Sequence, residues 1–249
     1  MDNSLIELGH PLTTGQILKA AETVHARVVV LPDHIGHSEL TVELADRGMK
    51  EINNSGMQAM GVVQGRNLDD CLWCAKSLVE LGVDVLAVPR HLTARLGSRI
   101  PLVNEINQEY PHNKIHLLGF SDDILDDMVA AHMPNVWGID SAVPIWCGLE
   151  HKRFEHSPSP VEGHRPDNYW LRAIINPEVV FNIARVNDWL APVPGLENTP
   201  AGWFRWLSQG AQVAPTTGLQ SGLVETQQRR SSWLEKLQAL TSLGRGSRS

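Results

Sequence analysis

The chain has 249 residues, 42% of them hydrophobic and 20% charged, and its formal net charge is −7. This composition is typical of a globular protein, and the acidic balance argues against a surface that coats nucleic acid broadly, although not against a local basic groove. No apolar run approaches the roughly 18 residues of a membrane span, and the N-terminal residues do not resemble a signal peptide. Three cysteines are too few for a disulfide framework, so we expect a cytoplasmic protein that binds no membrane.

Short apolar runs alternate with segments of helical spacing between residues 12 and 145. The runs predict strands at residues 27–31, 59–63, 84–88, 114–118 and 135–139. Because strands and helices alternate strictly, we expect a parallel sheet, and because the runs are almost wholly apolar, both faces should be buried. No G-x-G-x-x-G or G-x-x-x-x-G-K-[ST] motif follows a strand, which removes the main nucleotide-binding patterns of an open sheet. A β/α barrel and a doubly wound sheet both fit.

Capping residues predict where several helices begin. Thr13 and Gln16 form a capping-box pattern, and Ser121, followed by two aspartates, predicts an N-cap. Past the strands we expect a polar loop at 150–170, a helix at 176–190, irregular structure at 191–222 and an amphipathic helix at 224–243. We therefore divide the chain into a barrel portion with the active site, residues 1–149, and an extension, residues 150–249, whose loop and helices pack on the barrel.

Polar residues stand just past each predicted strand. In chain order they are Asp33, Gln64 with Gly65, Arg90 with His91, Gly119, and Asp140 with Ser141. A single residue of this kind is more often a helix cap or a turn former than a functional group. Five in succession at the carboxyl ends of parallel strands favour an active site, because barrel enzymes build their sites there.

Five segments, VVVLPDHIG, MGVVQGR, GVDVLAVPR, IHLLGFSDDI and VWGIDSAVP, follow one another in the order and spacing of a known family. Over residues 5–145 the chain resembles the tRNA-guanine transglycosylases. Asp140-Ser141-Ala142 is similar to the nucleophile motif of archaeal members and of DNA-modifying relatives in phages and bacteria. The resemblance implies a TIM (β/α)8-type barrel and an enzyme that replaces guanine in tRNA or DNA by a 7-deazaguanine base.

By this resemblance Asp140 is the nucleophile, which attacks C1′ and holds the pentose covalently. Asp33 and Gln64 would recognise the purine through its N–H and carbonyl groups, with Gly65, Arg90 and Gly119 also in the base-binding site. The resemblance implies no cofactor.

The chain departs from the family pattern in three ways. It has no D-S-G-G-F motif, so the acid/base aspartate is unassigned, and we expect a barrel that is incomplete at its N-terminus. Either the sequence is a fragment, or a homo-oligomer or a partner chain supplies the missing part, or this is an unusual member that has lost it. The zinc-binding cysteines of the family are also missing, since Cys71 and Cys74 lie within a predicted helix and favour packing over a metal site. Finally, Pro89-Arg90 replaces the glycine pair that approaches the purine.

Two basic stretches are candidates for binding a nucleic-acid backbone. The first holds Arg90, His91, Arg95 and Arg99, and the second begins at His151 and includes Lys152, Arg153 and Arg165. We assign the backbone contacts to Lys152, Arg153 and Arg165, because they directly follow the nucleophile strand. Ordinary solvated surface charge is the alternative for both stretches.

Two other classes of protein stay open. His34, His37, His91 and Asp140 form a loose ligand set for a metal-dependent barrel hydrolase, although the H-x-H pair typical of such sites is missing. A non-catalytic purine-binding subunit is the second alternative, and the missing acid/base motif favours it.

Overall fold

The computed structural model describes residues 10, 12–155, 158, 176–192, 196 and 199–209. Five strands lie in this part of the chain: β1 (Val28–Val30), β2 (Gln58–Val62), β3 (Val85–Pro89), β4 (Lys114–Leu118) and β5 (Val136–Asp140). The α-helices are α1 (Thr14–Thr23), α2 (Ser38–Ile52), α3 (Leu68–Glu80), α4 (Thr93–Leu96), α5 (Ile100–Glu109), α6 (Ile124–Ala131), α7 (Val143–Leu149), α8 (Pro177–Leu190) and α9 (Pro200–Ser208). A 3₁₀ turn at Arg90–Leu92 joins β3 to α4.

The five strands form one parallel sheet in the order β1-β2-β3-β4-β5. Every predicted strand is confirmed, and each observed boundary lies within one residue of the predicted one. Helices connect all neighbouring strands, so the α/β class is confirmed as well. Sequential order is that of consecutive strands in a β/α barrel, whereas a doubly wound sheet reverses its order partway. The described part of the chain is therefore compatible with an incomplete barrel.

The two faces of the sheet differ in what they bury. Residues such as Val29, Leu86 and Leu117 pack against the helices in the main hydrophobic core. The opposite face is apolar on the first three strands, where Met60 and Ala87 lie in a smaller buried cluster. On β4 and β5 that face also carries the polar residues His116 and Asp140, beside Leu118, which packs on the same cluster.

A buried arginine joins the carboxyl ends of β3 and β4. Arg99 Nη1 donates to the carbonyl oxygens of Val88 at 3.1 Å and of Leu118 at 3.4 Å. Its Nη2 donates to Asp127, and both side chains have 0% exposure. The other oxygen of Asp127 accepts from the backbone N and the hydroxyl of Ser121, at 2.6 and 3.0 Å. This Arg99–Asp127 pair therefore ties both strand ends and the loop after β4 to α6.

Asp126 lies beside this pair, and no cationic side chain in the described part of the chain pairs with it. Its carboxylate accepts from the hydroxyl of Ser98 at 2.7 Å and from the backbone N of Arg99 at 3.3 Å. Burial raises the pKa of Asp126 to about 7. Arg99 thus balances the charge of only one of the two buried carboxylates. The prediction that Arg99 belongs to a basic groove was wrong, because its side chain is fully buried in the core.

Two sequence predictions were wrong. The N-cap of α6 is Asp123, whose side chain accepts from the backbone N of Asp126, because the hydroxyl of Ser121 is engaged by Asp127. Residues 200–208, expected to be irregular, form α9. Thr199 caps this helix and Pro200 occupies its first turn, where a missing N–H costs nothing.

The predicted capping box at Thr13 and Gln16 is confirmed, and so is the helix capped by Asn176. That helix, α8, packs on α7 through the buried side chain of Asn182, which donates to the carbonyls of Pro144 and Lys152. In the described ranges no helix is both long enough and apolar enough to cross a membrane. The helix predicted at 224–243 lies outside the described residues.

We expect Arg99→Met to lower the free energy of unfolding by about 3–5 kcal/mol, because it leaves the Asp127 carboxylate buried without its cation. Urea denaturation of both proteins measures this difference. The control is Arg47→Met on α2, where the arginine forms an exposed pair with Glu43 worth no more than about 1 kcal/mol. Equal losses in the two variants would contradict a structural role for the buried pair.

Candidate active site

Asp140 ends β5 with one carboxylate oxygen held and the other available. Its Oδ1 accepts from Nε2 of His116 at 3.0 Å and from the backbone N of Gly119 at 3.3 Å. No other described residue donates to Oδ2. The side chain of Asp140 is 63% exposed, whereas that of His116 is 18% exposed. The carboxylate is thus oriented by His116 and Gly119, and its second oxygen is accessible to a substrate.

The surroundings keep Asp140 ionised. Burial by itself raises its pKa, but the hydrogen bond and charge of His116 and the bond from Gly119 outweigh this effect, so the pKa lies below the usual range. Asp140 is therefore an anion at neutral pH. An exposed anionic carboxylate at the carboxyl end of a parallel strand can act as a nucleophile or stabilise a developing positive charge.

A second cluster lies at the ends of β1, β2 and β3 and centres on Gln64. Nε2 of Gln64 donates to Oδ2 of Asp33 at 2.7 Å, and its Oε1 accepts from the backbone N of Gly36 at 2.9 Å. Nε2 of His91 lies 2.9 Å from the same Oε1. Gln64 is 1% exposed and Asp33 is 4% exposed. The structure thus brings the two predicted purine-recognising residues into direct contact.

His91 acts as a neutral donor in this cluster. Burial, then the charges of Arg95 and Arg90, lower its pKa to about 4. Since Gln64 Oε1 is an acceptor, the proton of the neutral ring belongs on Nε2. Gln64 Oε1 is therefore already occupied by two donors. A purine would contact Gln64 only by replacing one of these bonds or by using the second N–H of the amide.

The remaining predicted base-binding residues, Gly65, Arg90 and Gly119, follow the ends of β2, β3 and β4. Gly119 has φ +73°, and a Cβ there would come within 3.0 Å of Cδ of Arg90. The stem of Arg90 therefore lies over the glycine that donates to Asp140. The carbonyl of Gly65 accepts from Nη1 of Arg95 at 2.8 Å. Arg90 and His91, adjacent in sequence, connect the Asp140 cluster to the Gln64 cluster.

The two clusters do not contact each other through Asp140 and Gln64. Three strand spacings separate β2 from β5, which corresponds to about 14 Å along the sheet. The polar groups are thus distributed along the carboxyl edge of the sheet.

The residues predicted to contact a nucleic-acid backbone are paired with acids. Lys152 Nζ lies 2.9 Å from Glu150, and Arg153 Nη2 lies 3.3 Å from Glu178. Arg165 lies outside the described residues. The glutamates offset much of the positive charge expected at this position.

The histidines and cysteines singled out from the sequence form no shared ligand group. His34 and His37 contact each other edge to face, with ring centroids 4.7 Å apart. Cys71 and Cys74 are buried in α3, where burial raises the pKa values of their thiols to about 11 and about 12. The described ranges contain no group of three or more His, Cys, Asp or Glu side chains that could hold a metal ion.

Sequence reasoning missed His116. Buried parallel strands are almost wholly apolar, so the histidine at the third position of the strand KIHLL was the available signal. Its partner, Asp140, lies 24 residues further along the chain, and only the β4–β5 pairing brings the two together.

We expect His116→Leu to raise the pKa of Asp140, because the variant removes the hydrogen bond that favours the carboxylate. Titration of the Asp140 carboxyl carbon by NMR measures this change. The control is His37→Leu, at the exposed N-cap residue of α2, which should leave the pKa of Asp140 unchanged. An unaltered titration in His116→Leu would show that His116 does not hold the carboxylate in solution.

Comparisons with known proteins add little to this geometry. No protein-family model matches the chain. No curated protein matches it either. Among solved structures, N-acetylneuraminate lyase from Fusobacterium nucleatum aligns with 89% of this chain and 90% of its own, at 11% sequence identity and a TM-score of 0.27. At that TM-score the similarity supports no conclusion about substrate or mechanism.

Proposed function

We propose that the chain is a pentosyltransferase that replaces guanine in a nucleic acid by a 7-deazaguanine base through a covalent intermediate on Asp140. The observation that carries this proposal is the geometry of Asp140. One oxygen is held by His116 and Gly119, the pKa is lowered, and the side chain is exposed at the carboxyl end of β5. The resemblance of the strand-end motifs to the tRNA-guanine transglycosylases supplies the reaction.

The reaction consists of two displacements at C1′. Oδ2 of Asp140 supplies the electron pair of a new C1′–O bond, while the C1′–N9 bond breaks and guanine leaves with its electron pair and takes up a proton. N9 of the incoming 7-deazaguanine then loses a proton and forms a bond to C1′, and the carboxylate leaves with the C–O pair. Two inversions retain the configuration. The anionic carboxylate also stabilises the oxocarbenium-like transition states.

The Gln64 cluster is the proposed base-recognition site. The Asp33 carboxylate accepts from the N1–H and exocyclic amine of a guanine, and the second N–H of the Gln64 amide donates to its carbonyl. Gly65 packs closely against the first turn of α3, and Arg90, whose stem lies over Gly119, lies beside the base. A site built from buried hydrogen-bonding groups rejects bases that lack the matching donors, because the mismatch leaves those groups unpaired.

The proposed substrate is either DNA or tRNA, and a base within a duplex must be flipped out before attack. The proposed architecture is an incomplete TIM barrel. Because no acid/base aspartate is assigned, a second copy of the chain or a partner chain would supply it. Asp140 and the base-recognition residues would then act within that assembly.

The direct test is incorporation of a radiolabelled 7-deazaguanine base into DNA and, in parallel, into tRNA. We expect label to enter one of the two polymers with the wild type, and Asp140→Asn to lower the rate by at least about a thousandfold, because the amide is a poor nucleophile. Asp46→Asn, an exposed aspartate on α2 paired with Lys50, should retain the wild-type rate.

Two results would count against the proposal. Label entering the polymer with Asp140→Asn at the wild-type rate would exclude Asp140 as the nucleophile. No label in either polymer, together with normal binding of the base, would favour the non-catalytic purine-binding subunit.

A further inference from the structure

Two exposed arginines follow β3 without acidic partners. Arg90 begins the 3₁₀ turn, and Arg95 lies in α4. No described carboxylate forms an ion pair with either side chain, whereas Arg66 pairs with Asp70 and Arg153 pairs with Glu178. In a chain with a net charge of −7, uncompensated cations at one edge of the sheet focus a local positive potential.

The two arginines lie over the two clusters of the candidate site. The stem of Arg90 covers Gly119, whose backbone N donates to Asp140 at 3.3 Å. Nη1 of Arg95 would lie 2.6 Å from a Cβ at Gly36, the residue whose backbone N donates to Gln64. A group bound by both arginines would therefore bridge the nucleophile and the base-recognition residues.

A third residue reports on the same potential. His91 lies between Arg90 and Arg95 in sequence, and after burial the charges of both arginines lower its pKa. Both positive charges therefore act on His91 at the carboxyl edge of the sheet.

We infer that Arg90 and Arg95 form a phosphate-binding site at the carboxyl edge of the sheet, which holds a phosphate group of the nucleotide substrate between Asp140 and the Gln64 cluster. This inference rests on the proposed function. A guanidinium group offers planar, paired N–H donors that match two phosphate oxygens. The site lies on β3 and its connection, whereas the sequence assigned the backbone contacts to Lys152 and Arg153, whose charges are offset by glutamates.

The test is the binding of a fluorescein-labelled DNA duplex and of a labelled tRNA, followed by fluorescence anisotropy between 50 and 300 mM salt. Arg90→Met keeps the stem over Gly119 and removes the charge, and Arg95→Met removes the second charge. Each variant should bind about tenfold more weakly at 50 mM salt, because it loses one phosphate contact. The plot of log affinity against log salt concentration should become shallower by about 0.9, the contribution of one such contact. Arg66→Met and Arg47→Met are matched controls, because both arginines are exposed and already paired with acids.

Wild-type affinity and salt slope in Arg90→Met would overturn the inference, and so would equal losses in the two control variants. Arg95→Met also loses the bond to the Gly65 carbonyl, so a thermal melt checks its folding, and Arg90→Met decides the matter if Arg95→Met does not fold.

Competition experiments identify the source of the phosphate. Displacement of the labelled polymer by millimolar guanosine monophosphate, lost in Arg90→Met, assigns the site to a free nucleotide. Arginine-dependent binding that only polymers compete for assigns it to a nucleic-acid backbone. Arginine-dependent binding without base exchange would contradict the proposed function and support the phosphate site. Base exchange that is unchanged in both arginine variants would support the proposed function and contradict the phosphate site.

Discussion

The buried pair of Arg99 and Asp127 is the interaction on which the carboxyl edge of the sheet depends. Arg99 donates to the carbonyl oxygens of Val88, next to the last residue of β3, and of Leu118, the last residue of β4, and Asp127 bonds to the loop that follows β4. The residues that come directly after those strands are Arg90 and Gly119, so their positions follow from a side chain with 0% exposure. A fully buried ion pair is a strong constraint, because losing either partner leaves an uncompensated charge in the core.

The carboxyl edge of the sheet carries two kinds of polar group, buried groups that bond to one another and exposed groups that can contact a substrate. Buried groups beneath the edge are almost fully bonded to one another: Gln64 contacts Asp33, Gly36 and His91. The exposed groups above the edge keep unused capacity, namely Oδ2 of Asp140 and the guanidinium groups of Arg90 and Arg95. Catalysis by orientation and electrostatic stabilisation requires charged groups held in fixed positions by a well-bonded interior. Asp140, Arg90 and Arg95 are charged groups of this kind.

The strands, the parallel sheet and the polar residues at the strand ends were predictable, because β-branched runs and their spacing are local signals. The Ser121 cap failed since a residue six positions along the chain, Asp127, competes for its hydroxyl. The helix at 200–208 was missed because surrounding prolines outweighed the cap at Thr199. The contact of His116 with Asp140 and the pairing of Arg153 with Glu178 arise only from tertiary structure, which no local pattern contains. Lys152, in contrast, pairs with Glu150 two residues before it.

The central claim, a covalent pentosyl intermediate on Asp140, is tested most directly by trapping it. Wild-type protein would be incubated with the nucleic-acid substrate in the absence of an incoming base, denatured, and analysed by intact mass and peptide mapping. We predict a one-to-one adduct in which the mass of the protein increases by that of the polymer lacking one guanine. The modification should lie on the peptide that contains Asp140. Base exchange that proceeds while no adduct forms, or an adduct on a different residue, would contradict the claim.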